Sequence, residues 1–557
     1  MSFKYLHAVG QSSYWLDHRL CPEVRGMFAA FASRAPVGGI QARYGQVVEA
    51  VADDLWLNLN PNHPWATMVK LDAELGQPGD ILFRDEDDPF LHTTRASLRQ
   101  SIKDFRNKAE DRLCTYPLHP KVQRFFDDFV GKYGHSSILE LTGSPAVISE
   151  TVSWFTAWQL FDSPLCAGQE FSTRAVQHKD WPMARECMSP YNELKGQREA
   201  YWKDKMATAD TASSAVDADF LRRLEGMIGV VQHPDLVALH ADWFEVFEAE
   251  VAWWKEHLSD EANRLALGIG DKEPFRPALD RARWALPGIM ATGCAHTSNL
   301  RERSRVLRDG ASLAAFSKAP AAMAVWKEIA DTYREALPGL AGMGLKEAVY
   351  TSDTVIPGHV QEMFSGTLDG PDAEVWVVST DGLSVEPFQR KGAKSYLDVA
   401  VNTGHRVNVV FRCSLAVARD WHRHRTLFPW LLQVVRGPTH MQGGCVVRSP
   451  IQIDHHYTPM SDLGKTKVPE LLARSTRVFD DFMVTGNVVQ AALALPLGTR
   501  VRLRGQGGLR DVVYMLELRH TAHGANFEYR EQAGQALSAL VESLGPDASS
   551  EYRIKAP

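Results

Sequence analysis

Three consecutive basic residues, Arg423, His424 and Arg425, form the part of the sequence best suited to binding an anion. The chain turns apolar soon afterwards, because residues 431–435 are Leu and Val apart from one Gln. Adjacent cations repel each other, and burying them is costly unless a negative charge lies against them. The triplet therefore either lies on the surface, as most basic runs do, or meets an anion.

A second polar run, QEFSTR at residues 169–174, places a carboxylate, a hydroxyl and a guanidinium close together in Glu170, Ser172 and Arg174. The planar fork of arginine suits the oxygens of a phosphate, and a serine hydroxyl adds a short donor. The same letters also fit an ordinary helix start, with Ser172 bonding to nearby backbone. Taken alone, the run leaves both interpretations open.

A weak internal repeat relates two parts of the chain. In residues 281–307 and 490–516, an apolar approach leads to Leu-Pro, a short extended stretch and Leu-Arg. The proline and the arginine are 14 positions apart in both segments (301 − 287 and 510 − 496). The equal spacing predicts the same local structure in the two segments.

The repeat extends upstream, where residues 153–176 align with 414–437. This alignment places Asp162-Ser163-Pro164 opposite the basic triplet, and Glu170 opposite Leu431. Its offset is 261 (423 − 162), against 209 (510 − 301) for the downstream blocks, so the first copy carries 52 extra residues between them. A polar helical insertion at about 190–240 accounts for the difference.

These blocks together resemble the flavin-dependent thymidylate synthases, the ThyX family. The pattern of that family is Arg-His-Arg, then Asn/Gln-Glu-x-Ser-x-Arg-Tyr, then Ala-Arg-x-x-Leu-Pro, Asn-x-Arg and a last arginine. Its members are tetramers of a single α+β domain, with active sites between subunits. The resemblance implies two such domains in tandem, each a mainly antiparallel sheet packed with helices.

Each half of the chain keeps the part of this pattern that the other half has lost. The first half lacks the triplet but retains His135 and Ser137 of GHSS, Glu170, Ser172, Arg174, Arg283, Asn299 and Arg301. The second half retains Arg423, His424, Arg425, Arg510 and the last arginine, Arg519, with Ala492 where an arginine would precede Leu-Pro. This complementary retention predicts one composite site between the halves, while the mirror-related site is lost.

The resemblance implies methylation of a pyrimidine nucleotide at C5, most simply dUMP to dTMP, with FAD as cofactor and NADPH and methylenetetrahydrofolate as co-substrates. It makes Arg423 and Arg519 the expected catalytic residues, with Arg519 opposing the charge that develops on the uracil ring. The expected substrate-binding residues are Glu170, Ser172, Arg174, Arg283 and Asp420. The expected FAD-binding residues are His135, Ser137, Asn299, Arg301, Arg423, His424, Arg425 and Arg510.

Asp420 departs from the family pattern, which has Gln three positions before the first arginine of the triplet. An aspartate facing a phosphate or a uracil carbonyl is repulsive unless it is protonated or paired with Arg423. The acceptor could therefore be another pyrimidine nucleotide, or the product could carry a hydroxymethyl group. A non-catalytic scaffold that binds nucleotide or flavin is the alternative from a different class of function.

Composition bounds these hypotheses. The 557 residues are 45% hydrophobic, which is enough for large cores and more than one domain. A net charge of −7 argues against binding nucleic acid over a broad surface. Seven cysteines without a C-x-x-C pair, no signal-peptide layout and no long apolar run favour a cytoplasmic protein. DHHY at 454–457 lacks a third ligand at suitable spacing, so no metal site is predicted.

The elements that must position these residues read as α+β. Helical periodicity dominates at 235–258, 315–336 and 509–520, whereas 374–380, 406–413 and 499–504 are Val-rich and strand-like. Gly and Pro interrupt the helical pattern near 335–350, which predicts a first domain over 1–340 and a second over 341–557. We expect two chains to form a homodimer with four domains, like the tetramer of the family.

Overall fold

The structure is a computed structural model. It describes residues 3–10, 12–32, 39–59, 64–74, 95–132, 137–143, 145–163, 165–173, 183–186, 234–270, 275–299, 301–303, 306–307, 309–310, 313, 320–337, 363, 373–379, 405–427, 430–434, 439–442, 445–448, 458–484, 487–521 and 526–544.

Two antiparallel sheets and many helices make up the described part of the chain, which confirms the predicted α+β class. The first sheet, in the order β1-β2-β3-β5-β4, contains β1 (Leu6–Val9), β2 (Ser13–Leu16), β3 (Ala146–Val152), β4 (Cys166–Glu170) and β5 (Thr292–Ser298). The second, in the order β6-β7-β11-β8, contains β6 (Ala373–Ser379), β7 (His405–Ser414), β8 (Leu431–Val434) and β11 (Arg500–Gly508). A separate antiparallel pair is formed by β9 (Thr439–Gln442) and β10 (Cys445–Arg448).

The helices of the N-terminal part are α1 (Pro22–Ala32), α2 (Gly39–Leu57), α3 (Trp65–Glu74), α4 (Arg95–Arg112), α5 (Pro120–Phe126), α6 (Ser137–Glu140) and α7 (Trp154–Phe161). Those that follow are α8 (Pro234–His257), α9 (Glu261–Ala266), α10 (Phe275–Ala282), α11 (Pro320–Ala336), α12 (Leu415–His422), α13 (Asp462–Val484), α14 (Val488–Leu493), α15 (Leu509–Thr521) and α16 (Phe527–Leu544). The predicted helices and Val-rich strands are confirmed within a few residues at their ends. None of the described helices is long and apolar enough to cross a membrane.

Alternating apolar residues fix the faces of the strands. In β7, Val407, Val409, Phe411 and Cys413 are buried, while Arg406, Asn408 and Arg412 on the other side of the strand are not. This period of two turns one side of the strand to a hydrophobic core. The pattern that predicted the strand from sequence is therefore also the pattern that packs it.

Two buried clusters cover the first sheet on its two faces. Val147 of β3 belongs to a cluster that also includes Trp243, Phe411 and Trp421, and so combines residues from both halves of the chain. Its neighbour Ile148 belongs to a second cluster, built on α1, α2 and α4. The two halves thus share one hydrophobic core, and the N-terminal helices add another.

The repeat found in the sequence has a counterpart in the backbone. In each half a strand ends at a serine whose hydroxyl accepts a hydrogen bond from the first turn of the next helix, Ser153 at the start of α7 and Ser414 at the start of α12. The two serines are 261 positions apart, the offset predicted for this block. The order β2-β3-β5-β4 likewise matches the order β6-β7-β11-β8.

The downstream blocks match in the same way. Met290 N donates to Pro287 O at 3.1 Å, and Thr499 N donates to Pro496 O at 3.0 Å, so the two Leu-Pro turns are equivalent at an offset of 209. One detail of the alignment was wrong. Cys294 faces Glu170, and Leu503, 209 positions later (503 − 294), faces Leu432 rather than Leu431.

Several predicted features lie outside the described residues. Of the insertion at about 190–240, only the first residues of α8 are described, and residues 338–362 around the predicted boundary are not. The division into domains at residue 340 therefore stays a prediction. DHHY at 454–457 also lies outside the described residues.

Candidate functional site

A small cleft lies between the end of β4 and one face of α12. It is partly open to solvent, has a cavity volume of only about 10 Å³, and is lined by Phe171, Ser172, Thr173, Ala416, Arg419, Asp420 and Arg423. The residues from α12 recur at intervals of three and four, so they share one face of the helix. The cleft therefore combines the polar run of the first half with the helix that carries the triplet of the second.

In the wall of the cleft, Arg419 pairs with Glu170 across the two halves. Both side chains are buried, with relative exposures of 6% and 5%, and Arg419 Nε lies 3.3 Å from Glu170 Oε2 while its Nη2 contacts Oε1. Two opposite charges that lose water together need such direct contact, since either alone would be strongly destabilising. Glu170 is therefore held by the protein itself, and Arg419 is a site residue that the sequence analysis missed.

A second ion pair, between Arg283 and Asp420, lies on the protein side of the cleft. Arg283, which begins the short helical turn after α10, is only 1% exposed, and its Nη1 donates to Asp420 Oδ2 at 2.9 Å. Asp420 Oδ1 lies 4.0 Å from Arg423 Nη2. The carboxylate thus lies between two guanidinium groups, which resolves the repulsion expected at this position by pairing. Arg283 does not line the cleft itself, but it contacts Asp420, which does.

The three members of the basic triplet have different surroundings. Arg423 lines the cleft. Arg425 points away from it, where it donates to Cys166 O at 2.9 Å and pairs with Glu140 of α6, and burial lowers its pKa. Two of the three basic side chains therefore lie against carboxylates of the chain itself, Arg423 against Asp420 and Arg425 against Glu140.

His424 is held as a neutral ring. Burial, together with the nearby Arg519 and Arg423, lowers its pKa well below the usual range. Arg519 Nε donates to His424 Nε2 at 2.8 Å, so this nitrogen is the unprotonated acceptor of the ring. The hydroxyl of Tyr529 lies 2.8 Å from the same nitrogen, and Trp430 Nε1 donates to His424 O. The triplet consequently carries two cations rather than three.

This geometry places Arg519 behind the cleft rather than in its lining. Its guanidinium carbon stacks over the ring of Tyr529, 5.3 Å from the ring centroid, and Arg519 is not among the residues that line the cleft. Tyr529 in turn donates to the carbonyl oxygen of Asp420 at 3.3 Å. Arg519 therefore supports α12 through His424 and Tyr529.

The described residues expected to bind FAD belong to separate elements of the fold. Asn299 caps the short helical segment 301–303 by accepting from Glu302 N at 3.0 Å, Arg301 is exposed on that segment, and Arg510 lies in the first turn of α15. Ser137 begins α6, while His135 lies outside the described residues, as does Arg174.

A flavin dinucleotide does not fit these residues as the single chain arranges them. His424 and Arg425 are engaged by other groups of the protein, and the cleft has room of only about 10 Å³, far below the roughly 300–1,000 Å³ of typical ligand sites. Of the expected cations, Arg301 is exposed, while Arg423 and Arg510 are partly buried. A cleft of this size admits one small polar group, such as an oxygen of a phosphate.

The equivalent position in the other half is closed. The residues 261 positions before Arg419, Asp420 and Arg423 are Trp158, Gln159 and Asp162. Trp158 is buried and its ring stacks on His422, with the ring centroids 3.7 Å apart. An aromatic ring thus fills the place where the first cleft has an arginine, which leaves no cation for an anionic ligand at that place.

Comparison with known proteins adds no assignment. No protein-family model matches this chain, and no characterised protein matches it. Among the described residues, no group of three or more His, Cys, Asp or Glu side chains is arranged to hold a metal ion.

Proposed function

We propose that this protein binds a pyrimidine nucleotide monophosphate in the cleft between β4 and α12 and alkylates its base at C5. The observation that carries the proposal is the composite lining, in which Ser172 comes from one half and Arg423 from the other. This is the combination expected if the complementary losses in the two halves leave a single site.

The charges around the cleft support an anionic ligand. Arg283 and Arg419 are paired with Asp420 and Glu170, and Asp280 lies 3.9 Å from Arg283, so the 28% exposed Arg423 is the cation best placed to meet a ligand. A phosphate monoester with nearly two negative charges would bind to this guanidinium, and the hydroxyls of Ser172 and Thr173 add donors. The apolar surfaces of Phe171 and Ala416 suit the face of a base.

The chemistry follows from the resemblance to the ThyX family, with dUMP as the first candidate acceptor. A one-carbon unit from methylenetetrahydrofolate forms the new bond at C5, the C5 hydrogen leaves as a proton, and tetrahydrofolate is released. Two electrons from NADPH reduce the transferred carbon to a methyl group. Within the chain, Arg423 would orient the nucleotide, and Arg519 would act as a positioning residue through His424.

Mass spectrometry of nucleotides tests this function. The protein is incubated with FAD, NADPH and methylenetetrahydrofolate, and dUMP, UMP and dCMP are offered separately. A methyl gain on one acceptor supports the proposal, and a hydroxymethyl gain would change the product but keep the site.

Arg423→Ala tests the cleft itself. The loss of a charged donor to phosphate should weaken nucleotide binding about 10- to 100-fold. Arg276→Ala, an exposed arginine on α10, is the matched control and should bind as the unaltered protein does. Normal binding and turnover by Arg423→Ala would show that the nucleotide binds elsewhere.

The alternative is a nucleotide-binding scaffold without catalysis. It is favoured by the engagement of His424 and Arg425 within the chain, which removes two of the expected contacts to FAD. A protein that binds the nucleotide but neither contains nor takes up FAD would support this alternative. A cytoplasmic location and a homodimer of the tandem chain belong to the same proposal, and light scattering that gives a monomer would contradict the dimer.

A further inference from the structure

We propose that the second sheet binds a single-stranded nucleic acid, RNA or DNA, on the side that is turned away from the shared core. This side, the arginine face, carries Arg406 and Arg412 of β7 and Arg500, Arg502 and Arg504 of β11. The surface is separate from the cleft, and the proposal does not depend on the proposed function.

The register of the strands places these arginines on one side of the sheet. In β11, Val501 and Leu503 belong to the shared core, so the arginines that alternate with them face the other way. Arg502 lies directly opposite Arg412 of β7, and Arg504 follows two residues later. Like charges that lie directly opposite each other destabilise a sheet, so an anion that lies across this face is favourable.

Arg406 and Arg504 carry the accessible charge of the arginine face. Both side chains are exposed, whereas the other three arginines are half-buried and have further contacts within the chain. Arg406 lies opposite Gly508, so it is displaced from Arg504 by four residues along β11, which is about 13 Å at the usual rise of a strand. Two guanidinium groups at this separation can hold a phosphate backbone at two points.

The first half of the chain shows that the fold does not require these arginines. At the offset of 209, the three arginines of β11 correspond to Ala291, Gly293 and Ala295. Ala295 is completely buried in the cluster built on α1, α2 and α4, whereas Arg504 at the equivalent position is exposed. Three large cations in place of three small residues suit a charged partner rather than a covering apolar helix.

Charge favours a polyanion as that partner. The described strands place five arginines on this side, and Glu374 of β6, which lies opposite Val410, is the one acidic residue that their register adds. The face is therefore positive, although the whole protein has a net charge of −7. A polyanion is repelled by most of the surface and attracted to this part of it.

The other residues of the face favour a nucleic acid strand over an acidic protein. Every cation that the described strands place there is an arginine, and guanidinium groups bind phosphate through two hydrogen bonds and also stack on bases. Asn408, Gln433 and Gln506 lie on the same side, and their amides are suited to the edges of bases. An open four-stranded sheet accommodates unpaired bases, whereas the groove of a duplex requires a protruding helix or ribbon.

Fluorescence anisotropy of the full-length protein with labelled oligonucleotides of about 12 nucleotides tests the proposal. The probes are oligo(U), oligo(dT) and a DNA duplex of the same length. We expect at least one single strand to bind about 10-fold more tightly than the duplex, with an affinity that falls as salt is added. Equal binding of single strand and duplex, or no binding of either at low salt, would overturn the proposal. This comparison needs no variant.

Arg406→Gln combined with Arg504→Gln identifies the surface. Removal of two phosphate contacts should weaken binding about 10-fold or more and make the slope of log affinity against log salt shallower by about 1.4. The matched control combines Arg124→Gln on α5 with Arg276→Gln on α10, which removes two exposed arginines from elsewhere, and should keep the original slope. Equal effects of the two double variants would place the oligonucleotide elsewhere and contradict the proposal.

Polyglutamate separates the proposal from its nearest rival. As a competitor at equal charge concentration, it should displace the single strand at least about 10-fold less effectively than unlabelled oligo(U) or oligo(dT), because it has no bases to stack. Equal displacement would mean that the arginine face binds acidic chains in general, and the inference about nucleic acid would be wrong. A difference between oligo(U) and oligo(dT) would show which of the two strands the face prefers, and either preference supports the proposal.

Discussion

At the scale of single residues, the site is built from charges that the protein has already paired. Arg419 with Glu170, and Arg283 with Asp420, each join one half of the chain to the other. Buried pairs of this kind contribute little net stability, but removal of one partner costs about 3–5 kcal/mol because the other charge is left without compensation. Their role here is to hold α12 against β4, which fixes the positions of the residues that line the cleft.

His296 shows the same principle with a neutral group. It lies in β5, is fully buried, and is hydrogen bonded to the hydroxyl of Tyr333 through Nδ1. Burial, reinforced by the charge of Arg303, lowers its pKa to about 3. The folded protein therefore resists protonation of this ring over a range in which the unfolded chain binds a proton readily.

The stability of the protein should depend on pH through His296. Its contribution is fully present above the unfolded pKa of about 6.5 and is lost as the pH falls toward 3, because only the unfolded state binds the proton in between. His296→Gln should reduce the slope of unfolding free energy against pH, between pH 6 and 4, by about 1.4 kcal/mol per pH unit. Urea unfolding at several pH values measures it.

An equal slope in the His296→Gln protein would mean that the buried ring is protonated in the folded state as easily as in the unfolded chain.

At the scale of elements, the two halves use one device to start the helix that faces the site. The serine at each helix start donates its hydroxyl to a buried glutamate, Ser153 to Glu186 and Ser414 to Glu528, and each glutamate also accepts from the serine backbone N–H. The serine oxygen then accepts from the first turn of the helix. A glutamate far along the chain thus fixes where each helix begins.

Ser414→Ala should destabilise the protein by about 1 kcal/mol or more, because it removes the cap of α12 and leaves the buried Glu528 with one donor fewer. Ser543→Ala, on α16, is the matched control, since that hydroxyl is exposed and should matter by less than about 0.5 kcal/mol. Chemical denaturation compares the two. Equal stabilities would show that the serine cap contributes nothing measurable.

Much at this scale could be predicted from sequence. The Val-rich stretches correctly predicted the strands β6, β7 and β11. The two offsets of the repeat correctly predicted that Ser153 is equivalent to Ser414 and that Pro287 is equivalent to Pro496. Glu170 was aligned with Leu431, but the register of the sheets makes it equivalent to Leu432. Counted between equivalent residues, the connection from α12 to β8 is one residue longer than the connection from α7 to β4, and residue spacing alone cannot reveal such a shift.

The candidate site was predicted in part. Ser172, Asp420 and Arg423 line the cleft as the composite site requires. Arg419 was missed because its partner Glu170 lies 249 positions away, and nothing local distinguishes it from other arginines on a helix. The surroundings of His424 and Arg425 were likewise invisible, since their partners come from α6, β4, α15 and α16 rather than from nearby sequence.

At the scale of the whole molecule, the two halves meet at their Leu-Pro turns. Leu497 N donates to Leu286 O at 2.8 Å, so the turns are joined directly through the backbone. A side chain at Gly288 would place its Cβ 1.9 Å from Leu495 O, and one at Gly498 would lie 2.8 Å from Trp284 O. These glycines allow the close approach, and the shared core surrounds it.

This joint predicts that the halves stay together after the chain between them is cut. A protease site introduced at 340–350 should give two fragments that co-elute in size-exclusion chromatography, because the buried cluster that contains Phe411 and Trp421 is completed by Val147 and Trp243. Gly288→Ala in the same background should destabilise the protein by about 1–3 kcal/mol or more and favour separation of the fragments. Gly270→Ala, where a Cβ meets nothing within 4 Å, is the control. Fragments that separate at once in the unaltered background would show that each half folds around its own core, and the composite cleft would then depend on the covalent connection.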